Sequence, residues 1–531
     1  MVHDGTALAL SVFVLATALA STLFGLDGVL VRVEVEAARG VPSFELVGLA
    51  EAAVRESRVR VKSALAQIGI DISEHRVTVN MAPADLKKSG SSFDLAIAVA
   101  TLVALGRVTP ESIEGTLFIG ELSLTGAVHA VRGTLPRLLT ARACGIRSAV
   151  VPLDNLAEAS LVTDVATLGA ATLSELAQAL RGEGNMTSPT RSKAVKAPTI
   201  AHDLSDVRGQ ASARRAVEIA AAGGHNLLMI GSPGAGKTML ARRLPGILPP
   251  LSFDEAVEVA AIHSIAGILP AAKEIHRDRP FRSPHHTVSE VGLVGGGDRA
   301  RPGEVSLAHR GVLFLDELPE FRRSALEALR QPLEDGHVVI VRAEARATYP
   351  ARAIVVGAMN PCPCGHLGDG TDRCGCTAER LRNYRARVSG PLLDRIDVHV
   401  ALSPVKVASL QRARVGEASE PVRLRVQSAR DMAAERFLNR ETSTPQNAIL
   451  PLRDLERVAA LDERGASALA RAVNSLGLSA RAYTKVLRVA RTIADLAGNS
   501  TVSAAHVAEA IGTRVLDRAP GGGGSPLAAA S

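Results

Sequence analysis

The octapeptide GSPGAGKT, residues 231–238, constrains the fold of this chain more than any other stretch. It follows the apolar segment NLLMI and precedes MLARRL, which has helical composition. Glycines let backbone N–H groups surround phosphate oxygens, and the N-terminus of a following helix adds a favourable field. The octapeptide matches the G-x-x-x-x-G-K-[ST] pattern in the strand–loop–helix context that the pattern requires. It predicts an α/β nucleotide-binding domain whose phosphate-binding residues are Gly231, Ser232, Pro233, Gly234, Ala235, Gly236, Lys237 and Thr238.

Two side chains of this motif and an acidic pair downstream predict an ATPase. Lys237 is expected to contact the β- and γ-phosphates of ATP, and Thr238 to bind Mg²⁺. The apolar segment GVLFLDE ends in Asp316 and Glu317, where open α/β sheets bind ligands. Asp316 suits the ligand shell of Mg²⁺, and Glu317 suits polarisation of the attacking water. A solvated acidic pair at a strand end is the common alternative.

The chain, at 531 residues, is too long for a single hydrophobic core. Residues 1–181 alternate strand-like and helix-like segments, and the polar residues 182–200 have the composition of a linker. Apolar strands alternate with helical segments over 201–405, and a helical domain is predicted over 406–517. The tail, 518–531, is predicted to be disordered. The expected fold class is a multidomain α/β protein.

The apolar run ALALSVFVLATALA, residues 7–20, resembles the core of a signal peptide. No Lys or Arg precedes Arg32, so the positively charged segment of a signal peptide is missing. The run is also shorter than the roughly 20 residues of a membrane-spanning helix. We therefore expect a buried strand or helix here, no membrane partner and a location in the reducing cytoplasm.

The charge of the chain bears on its partners. A net charge of +7 and a pI near 9.4 allow an anionic partner such as nucleic acid. Ten Phe, three Tyr and no Trp argue against single-strand binding through bases stacked on aromatic rings. Any contact with nucleic acid is therefore expected to join Arg or Lys side chains to phosphates.

Four of the five cysteines lie in one short stretch, AMNPCPCGHLGDGTDRCGC. They are spaced C-x-C-x₉-C-x-C and comprise Cys362, Cys364, Cys374 and Cys376. Four thiolates suit a tetrahedral, structural Zn²⁺ that pins a loop without a core of its own. An iron–sulfur cluster and thiols without metal are the alternatives, and His366 is a candidate to replace one thiolate. The fifth cysteine, Cys144, is expected to be a small buried hydrophobe.

Several longer stretches resemble one protein family over nearly the whole chain. They are GLDGVLVRVEVEAARGVPSFELVGLAEAAVRESRVRVKSAL, VTVNMAPADLKKSGSSFDLAIA, FRSPHHTVS, PGEVSLAHRGVLFLDELPEF, AMNPCPCG, SGPLLDRIDVHV and LSARAYTKVLRVARTIADL. In these stretches the chain is similar to the YifB/ComM family of magnesium-chelatase-like AAA+ ATPases. The resemblance implies an AAA+ α/β core followed by a C-terminal helical lid.

The family resemblance also implies roles for three residues. Asn360, after the segment AIVVGAM, is expected to be sensor 1, a polar group that hydrogen-bonds the γ-phosphate or the water. Arg395 resembles an arginine finger that reaches the ATP of a neighbouring subunit, and Arg481 resembles sensor 2, which reads the γ-phosphate. For each arginine alone, a surface salt bridge is the common alternative. A finger that works between subunits requires a homo-oligomer, and the family implies a hexameric ring.

The segment from SGSSFDLAIAVATLVALG to GELSLTGAVHAVRGTLPRLLTARACGIRSAVVP resembles the proteolytic domain of Lon-type proteases, and residues 1–181 are assigned to such a domain. Lon-type proteases use a Ser-Lys dyad. Ser92 lies where the nucleophile would be, but Leu135 occupies the lysine position. A serine without a neighbouring amine is a poor nucleophile, and Lys87 and Lys88 lie outside the dyad position. We therefore expect a non-catalytic α+β domain that serves assembly or partner binding.

The resemblance implies DNA as the substrate of the motor, with branch migration or helicase activity that supports recombination in transformation or repair. Three arginine-containing segments are compatible with this: residues 373–395, the loop GLVGGGDRARPG and the hairpin-like VVIVRAEARATY. Their arginines are Arg299, Arg301, Arg342, Arg346, Arg373, Arg380, Arg382, Arg385, Arg387 and Arg395. A solvated charged surface is the default interpretation of such segments.

Two other function classes remain open. A chelatase-like ATPase that remodels a protein partner is the main alternative, because FRSPHHTVS also resembles magnesium-chelatase subunits. An ATP-dependent protease is the other, and Leu135 argues against it. His285 and His286 in FRSPHHTVS are expected to be loop or interface residues rather than metal ligands, since adjacent side chains diverge along a helix or strand.

Overall fold

The computed structural model describes residues 15–48, 51–86, 88, 90–189, 202–270, 276–297, 300–342, 345–403, 416–476, 479–514 and 516. Backbone contacts divide the chain into two compact units. The first unit comprises Met1–Lys196, Ala256–His276 and Val339–Tyr349, and the second comprises Ala197–Glu255, Arg277–Val338 and Pro350–Ser531. Most of the predicted linker and all of the predicted tail lie outside the described residues, so the domain boundaries stay predictions.

A seven-stranded mixed sheet organises the first unit. The strands before residue 171 are β1 (Leu15–Phe24), β2 (Asp27–Arg39), β3 (Ser43–Val47), β4 (His75–Ala82), β5 (Thr116–Phe118), β6 (Glu121–Leu122), β7 (Val128–His129), β8 (Ser148–Pro152) and β9 (Ala166–Ala170). All but β6 and β7 join the sheet, in the order β3-β4-β2-β1-β5-β8-β9. β2 is antiparallel to β1 and β4, and the remaining neighbours are parallel.

Helices cover both faces of this sheet. They are α1 (Ala52–Arg55), α2 (Ser57–Gln67), α3 (Asp94–Ala104), α4 (Thr134–Ala143), α5 (Leu156–Ala159) and α6 (Leu173–Leu180). Successive side chains of a strand point to opposite faces, and β1 shows this alternation. Ala18 and Ala20 share a core with α3, whereas Leu19 packs in the core that contains Leu135 of α4. All residues of α3 are buried, and its sequence is apolar except for Asp94, which pairs with Arg60, and Thr101, which bonds the carbonyl of Ile97.

The apolar run near the start of the chain folds as a strand. Residues 15–20 belong to β1, which confirms the expected buried element for the described part of the run, and residues 7–14 lie outside the described residues. Across the described ranges, no helix combines the length and apolar character that crossing a membrane requires. The expectation for Cys144 is wrong: this residue caps the carboxyl end of α4, and its side chain is exposed.

Two segments from the middle of the chain fold with the first unit. One is the part of α9 (Phe253–Ala266) after residue 255, whose Ala260 and Ala261 pack in the core that contains Leu135. The carbonyl of Ser264 accepts a hydrogen bond from the N–H of Gly133 at 3.2 Å. The other segment contains most of the hairpin of β15 (His337–Arg342) and β16 (Ala345–Pro350), which the sequence predicted.

A five-stranded parallel sheet organises the second unit. The remaining strands among the described residues are β10 (Leu227–Gly231), β11 (Phe281–Arg282), β12 (Gly295–Gly296), β13 (Arg301–Pro302), β14 (Val312–Leu315), β17 (Ile354–Met359) and β18 (Val398–Leu402). The sheet has the order β11-β14-β17-β10-β18, and β12 pairs with β13 separately. Every residue of β10, β14, β17 and β18 is buried. Parallel strands covered on both faces read as continuous apolar runs, which is why the sequence predicted them.

Helices pack on both faces of this sheet and continue to the end of the described chain. They are α7 (Ala211–Gly223), α8 (Lys237–Ile247), α10 (Glu290–Val294), α11 (Glu304–Leu307), α12 (Arg323–Ala328), α13 (Arg330–Asp335), α14 (Ala378–Arg385), α15 (Gly390–Leu393), α16 (Ser419–Leu438), α17 (Leu452–Val458), α18 (Glu463–Leu476), α19 (Ala480–Leu496) and α20 (Ala504–Gly512). The C-terminal helices share one hydrophobic core with α7, α8 and the sheet.

A buried ionic network joins the C-terminal helices. Arg491 of α19 is fully buried and donates to Asp495 at 2.9 Å and to the carbonyls of Val458 and Ser500 at 3.0 and 2.7 Å. Asp495 also accepts from Arg436 of α16 at 2.6 Å. A buried charge of this kind is stable only when each partner is present.

Replacing Arg491 by Met should lower the free energy of unfolding by about 3–5 kcal/mol, because buried acceptors lose their donor. Equilibrium urea unfolding followed by far-ultraviolet circular dichroism measures this loss. Arg453→Met is the matched control, since that side chain is 78% exposed and its ion pair should contribute little. Equal stability of the two variants would contradict a structural role for the network.

Candidate nucleotide-binding site

The predicted phosphate-binding loop joins the carboxyl end of β10 to α8. Gly234 and Gly236 adopt φ angles of +78° and +93°, a region that residues with side chains rarely populate. Gly231 lies so close to β18 that a Cβ atom there would be 2.9 Å from the carbonyl oxygen of Leu402. The turn therefore needs glycine at these positions. It presents the N-terminus of α8, which favours an anion.

The ammonium group of Lys237 is held at the base of this loop. Its Nζ donates to the carbonyl oxygens of Gly231 and Ser232 at 2.6 and 3.1 Å, and to Oδ1 of Asn360 at 3.1 Å. Burial lowers the pKa of Lys237, and the charges of Asp316 and Glu317 oppose this shift. The structure thus brings Lys237 together with Asn360, which follows the neighbouring strand β17.

Oxygen atoms suited to Mg²⁺ lie beside the loop. The hydroxyl of Thr238 donates to Oδ2 of Asp316 at 2.8 Å, and Oδ1 of Asp316 accepts from the N–H of Glu317 at 3.0 Å. Mg²⁺ prefers oxygen ligands and is usually held by one or two protein side chains together with substrate phosphates. The residues present therefore fit an Mg²⁺ ion that arrives with a nucleotide.

Glu317 contacts a histidine that the sequence did not assign to the site. Its Oε2 lies 3.2 Å from Nδ1 of His286, which follows the edge strand β11. The ring of His286 lies edge-on to Phe321, with centroids 6.5 Å apart, and 4.1 Å from the ring of His285. The rings do not diverge as expected, because the chain turns at this point instead of continuing as a helix or strand. The stretch FRSPHHTVS drew attention to His286 in the sequence, but its contact with Glu317 depends on the tertiary structure.

The two arginines expected to read nucleotide lie at the opposite end of the sheet. Arg395 and Arg481 line a cavity of about 560 Å³ together with Asn226, Gly311 and Ile354, which lie at the amino ends of β10, β14 and β17. The five residues of β10 span roughly 16 Å. This strand separates both arginines from the phosphate-binding loop of the same chain.

Within one chain, both arginines make local contacts. Arg395 donates from Nε to the carbonyl of Arg330 at 3.0 Å and forms an ion pair with Glu334. Nη1 of Arg481 lies 3.9 Å from Oδ2 of Asp394, and the Arg481 side chain is 68% exposed. Arg481 thus forms the expected kind of surface salt bridge, whereas the Arg395 side chain is only 17% exposed, and the nucleotide roles of both stay predictions.

The cavity is rich in cations that the sequence did not single out. It is also lined by Arg279, Arg310, Arg352, Arg430, Lys485 and Arg488. Burial lowers the pKa of Arg430 to about 9 and that of Lys485 to about 8. Burial opposes ionisation of Asp397, yet a hydrogen bond from His225 and the charge of Lys485 lower its pKa to about 2. Eight basic side chains thus line the cavity, against four acidic ones, Glu334, Asp335, Asp394 and Asp397, so the amino edge has an excess of positive charge.

The four clustered cysteines converge as predicted. Their Sγ atoms all lie within 4.8 Å of one another. Nδ1 of His366 instead lies 2.9 Å from Oδ2 of Asp369, and in the part of the chain that the structure describes this histidine does not join the cluster. A hydrogen bond from the backbone of His366 lowers the pKa of Cys364 to about 6. The cluster is compatible with zinc.

The residues expected at a lost protease dyad lie in the first unit. The hydroxyl of Ser92 is buried and has no hydrogen-bond partner among the described residues. Leu135 is fully buried in an apolar core. Lys88 is buried with its ammonium group bonded to the carbonyl of Pro83, and Lys87 lies outside the described residues. No described amine is therefore bonded to Ser92.

The parallel sheet of the second unit, the glycine-rich loop before α8 and the acidic pair after β14 define a P-loop nucleotide-binding protein. Three family models place it in the magnesium-chelatase-like AAA+ class. Magnesium chelatase, subunit ChlI, matches residues 203–410, its C-terminal model matches 416–514, and subunit ChlI of Mg-chelatase matches 33–155.

Relatives of nearly equal length define the family more closely. The competence protein ComM of Haemophilus influenzae is 42% identical over 93% of this chain and 96% of its own length. The uncharacterized protein YifB of Escherichia coli is also 42% identical with the same coverage. The magnesium-chelatase 38 kDa subunit of Rhodobacter capsulatus is 28% identical over 30% of this chain and 51% of its own length. The chain belongs to the YifB/ComM family of magnesium-chelatase-like AAA+ proteins, and this membership indicates an ATPase that uses ATP and Mg²⁺.

The contact between His286 and Glu317 predicts a kinetic effect of its own. His286→Phe keeps an aromatic ring beside Phe321 but removes the nitrogen that holds the Glu317 carboxylate. We expect kcat for ATP hydrolysis to fall about 10- to 100-fold with KM for ATP nearly unchanged, because a displaced carboxylate misorients the attacking water. Steady-state ATPase kinetics measure both constants.

His285→Phe is the matched control, because Nδ1 of His285 bonds Thr287 rather than Glu317. This variant should keep the kinetic constants of the unmodified protein. Equal losses in both variants would show that the turn itself, and not the contact with Glu317, determines the rate.

Proposed function

We propose that this protein is a homo-oligomeric AAA+ motor that couples ATP hydrolysis to movement on DNA. Branch migration or helicase activity would support recombination in transformation or repair, in the cytoplasm. The observation that carries the ATPase part is the grouping of Lys237, Thr238, Asp316 and Asn360 at one edge of a parallel sheet. The DNA part is supported by the name of the Haemophilus relative, a competence protein, and by the basic balance of the chain.

The proposed hydrolysis assigns one task to each residue of the carboxyl edge. Lys237 exchanges its contacts with loop carbonyls for the β- and γ-phosphates. Thr238 and Asp316 hold Mg²⁺, which neutralises developing charge on the phosphates when bound. Glu317, positioned by His286, orients and polarises the attacking water. Asn360 adds a polar contact to the γ-phosphate or the water. The chain thus supplies positioning and charge, which dominate phosphoryl transfer.

The amino edge of the sheet is proposed to serve the ATP of a neighbouring subunit. Arg395 and Arg481 lie one strand length from the loop of their own chain, beside further cations. An arginine supplied by another subunit stabilises the transition state and contributes about 10³–10⁵ in rate. A closed ring, for which the family implies six copies, would place this edge against the carboxyl edge of the next subunit. The C-terminal helices that carry Arg481 would then act as a lid.

DNA contact is proposed to involve exposed arginines of the described segments. Arg346 on the hairpin and Arg301 beside the glycine-rich loop are exposed. Arg373 and Arg387 form ion pairs with Asp369 and Glu320, which partly neutralise their positive charges. Arg299 and the side chain of Arg342 lie outside the described residues. Binding through such side chains would be to phosphates and would weaken steeply with salt.

The first unit is proposed to be a Lon-protease-like domain without peptidase activity. Ser92 has no bonded base, and Leu135 belongs to an apolar core. A role in assembly or partner binding is therefore favoured over proteolysis. The two segments from the middle of the chain, 256–276 and 339–349, fold with this unit.

A second candidate is a chelatase-like ATPase that remodels a protein partner. The three family models that match the chain all describe magnesium-chelatase subunits. This candidate shares the nucleotide site and differs only in what the ring acts upon.

The deciding experiment is ATP hydrolysis by the purified protein alone and with single-stranded, duplex or three-way-junction DNA. We expect DNA to stimulate hydrolysis and Glu317→Gln to lower the rate about 10²- to 10⁴-fold, since the water loses its base. Stimulation should decline with salt. Hydrolysis that requires Glu317 but ignores every DNA would contradict the DNA proposal and favour the protein-remodelling candidate.

A further inference from the structure

The four-cysteine cluster has the dimensions of a metal site. Sγ of Cys362 lies 3.3 Å from that of Cys364 and 3.8 Å from that of Cys374, and the Cys364–Cys374 separation is 3.7 Å. Sγ of Cys376 lies within 4.8 Å of the other three. A disulfide would require about 2.05 Å. Tetrahedral Zn²⁺ with bonds of about 2.3 Å separates its sulfur ligands by about 3.8 Å. The separations therefore suit a shared metal better than paired sulfurs.

The surrounding backbone supports thiolates at this place. The N–H of Leu367 donates to Sγ of Cys362 at 3.3 Å. The turn between them is closed by a bond from the N–H of Gly365 to the carbonyl of Cys362 at 3.0 Å. Oδ2 of Asp369 lies 2.9 Å from Nδ1 of His366. Oδ1 of Asp369 accepts a hydrogen bond from the N–H of Thr371 at 2.8 Å. Such outer contacts orient the ligands of a metal site.

The cysteine loop also packs on the phosphate-binding loop. A Cβ atom on Gly365 would lie 2.7 Å from Cδ and 2.9 Å from Cγ of Pro233. Asn360, which accepts from Lys237, precedes Cys362 by two residues. The loop between Cys364 and Cys374 is largely exposed and contributes no side chain to the hydrophobic core clusters. A metal ion would therefore supply the cross-link that holds this loop against the nucleotide site.

We propose that Cys362, Cys364, Cys374 and Cys376 bind one Zn²⁺ as a tetrathiolate and that this ion sets the position of Pro233 and Asn360 for ATP. The thiols release their protons to solvent as the four Zn–S bonds form. The ion is structural, because four protein ligands leave no open position for a substrate. The second part of this assignment rests on the proposed ATPase, whereas the first part does not.

Metal content of the purified full-length protein tests the first part. We expect one zinc per chain by elemental analysis and essentially none in Cys364→Ser/Cys374→Ser, whereas Cys144→Ser should keep it. Cobalt exchanged into the site should show thiolate-to-metal charge-transfer bands and tetrahedral visible bands. Absence of stoichiometric metal, or iron with labile sulfide in its place, would overturn the assignment whatever the ATPase does.

Gly365→Ala tests the contact between the cysteine loop and the phosphate-binding loop, on which the second part depends, without changing a metal ligand. The added methyl group meets Pro233, and the residue has a φ of +82°, so the loop must shift at the nucleotide site. We expect normal zinc content with at least about tenfold weaker binding of a fluorescent ATP analogue, and a normal melting temperature as the check on folding. Gly370→Ala is the matched control, because it has a similar φ of +79° and no atom near its added methyl group. Equal affinity in both variants would overturn the coupling.

Discussion

The parallel direction of five strands decides where chemistry can occur in this protein. Because β14, β17 and β10 run the same way, their carboxyl ends bring Asp316, Asn360 and the glycine-rich loop to one edge. Side chains that are distant in sequence then meet within hydrogen-bond distance, as Lys237 and Asn360 do at 3.1 Å. The residues that precede each strand lie at the opposite edge for the same reason, and this edge contains the cavity lined by Arg395. In the proposed function, the carboxyl edge of one subunit and the amino edge of the next together form the complete site.

Both edges of the sheet hold charged side chains away from water. Lys237 is stabilised by carbonyl oxygens and an amide oxygen, and phosphates are stronger acceptors that can replace these contacts. At the amino edge, burial lowers the pKa of Arg430 and Lys485, although Asp397 lies 3.5 Å from the Lys485 ammonium group and opposes the shift there. An anion entering this cavity would relieve that cost. The buried pair of Arg491 and Asp495, by contrast, is satisfied internally and serves the fold.

Much of this architecture could be predicted from the sequence, because parallel strands buried on both faces are continuously apolar and the phosphate loop has a strict glycine pattern. The segments NLLMI, GVLFL and AIVVGAM, the helix after GSPGAGKT and the convergence of four cysteines are confirmed. The contact of His286 with Glu317 and the pairing of Arg491 with Asp495 could not be predicted, since each depends on tertiary packing. Cys144 was expected to be buried but is exposed. From sequence alone, a single small residue at the end of a helix does not indicate whether its side chain faces the core or the solvent.

The most direct test of a site shared between subunits is hydrolysis by mixtures of Glu317→Gln and Arg395→Ala. Each variant alone lacks one half of every site, so both should bind ATP and hydrolyse it poorly. Mixed rings contain some junctions at which an intact Glu317 faces an intact Arg395, and these should recover hydrolysis in proportion to their number. Fluorescence energy transfer between labelled subunits establishes that mixing has occurred. Recovered activity supports the shared site, and mixed rings that stay inactive, or full activity of Arg395→Ala alone, would contradict it.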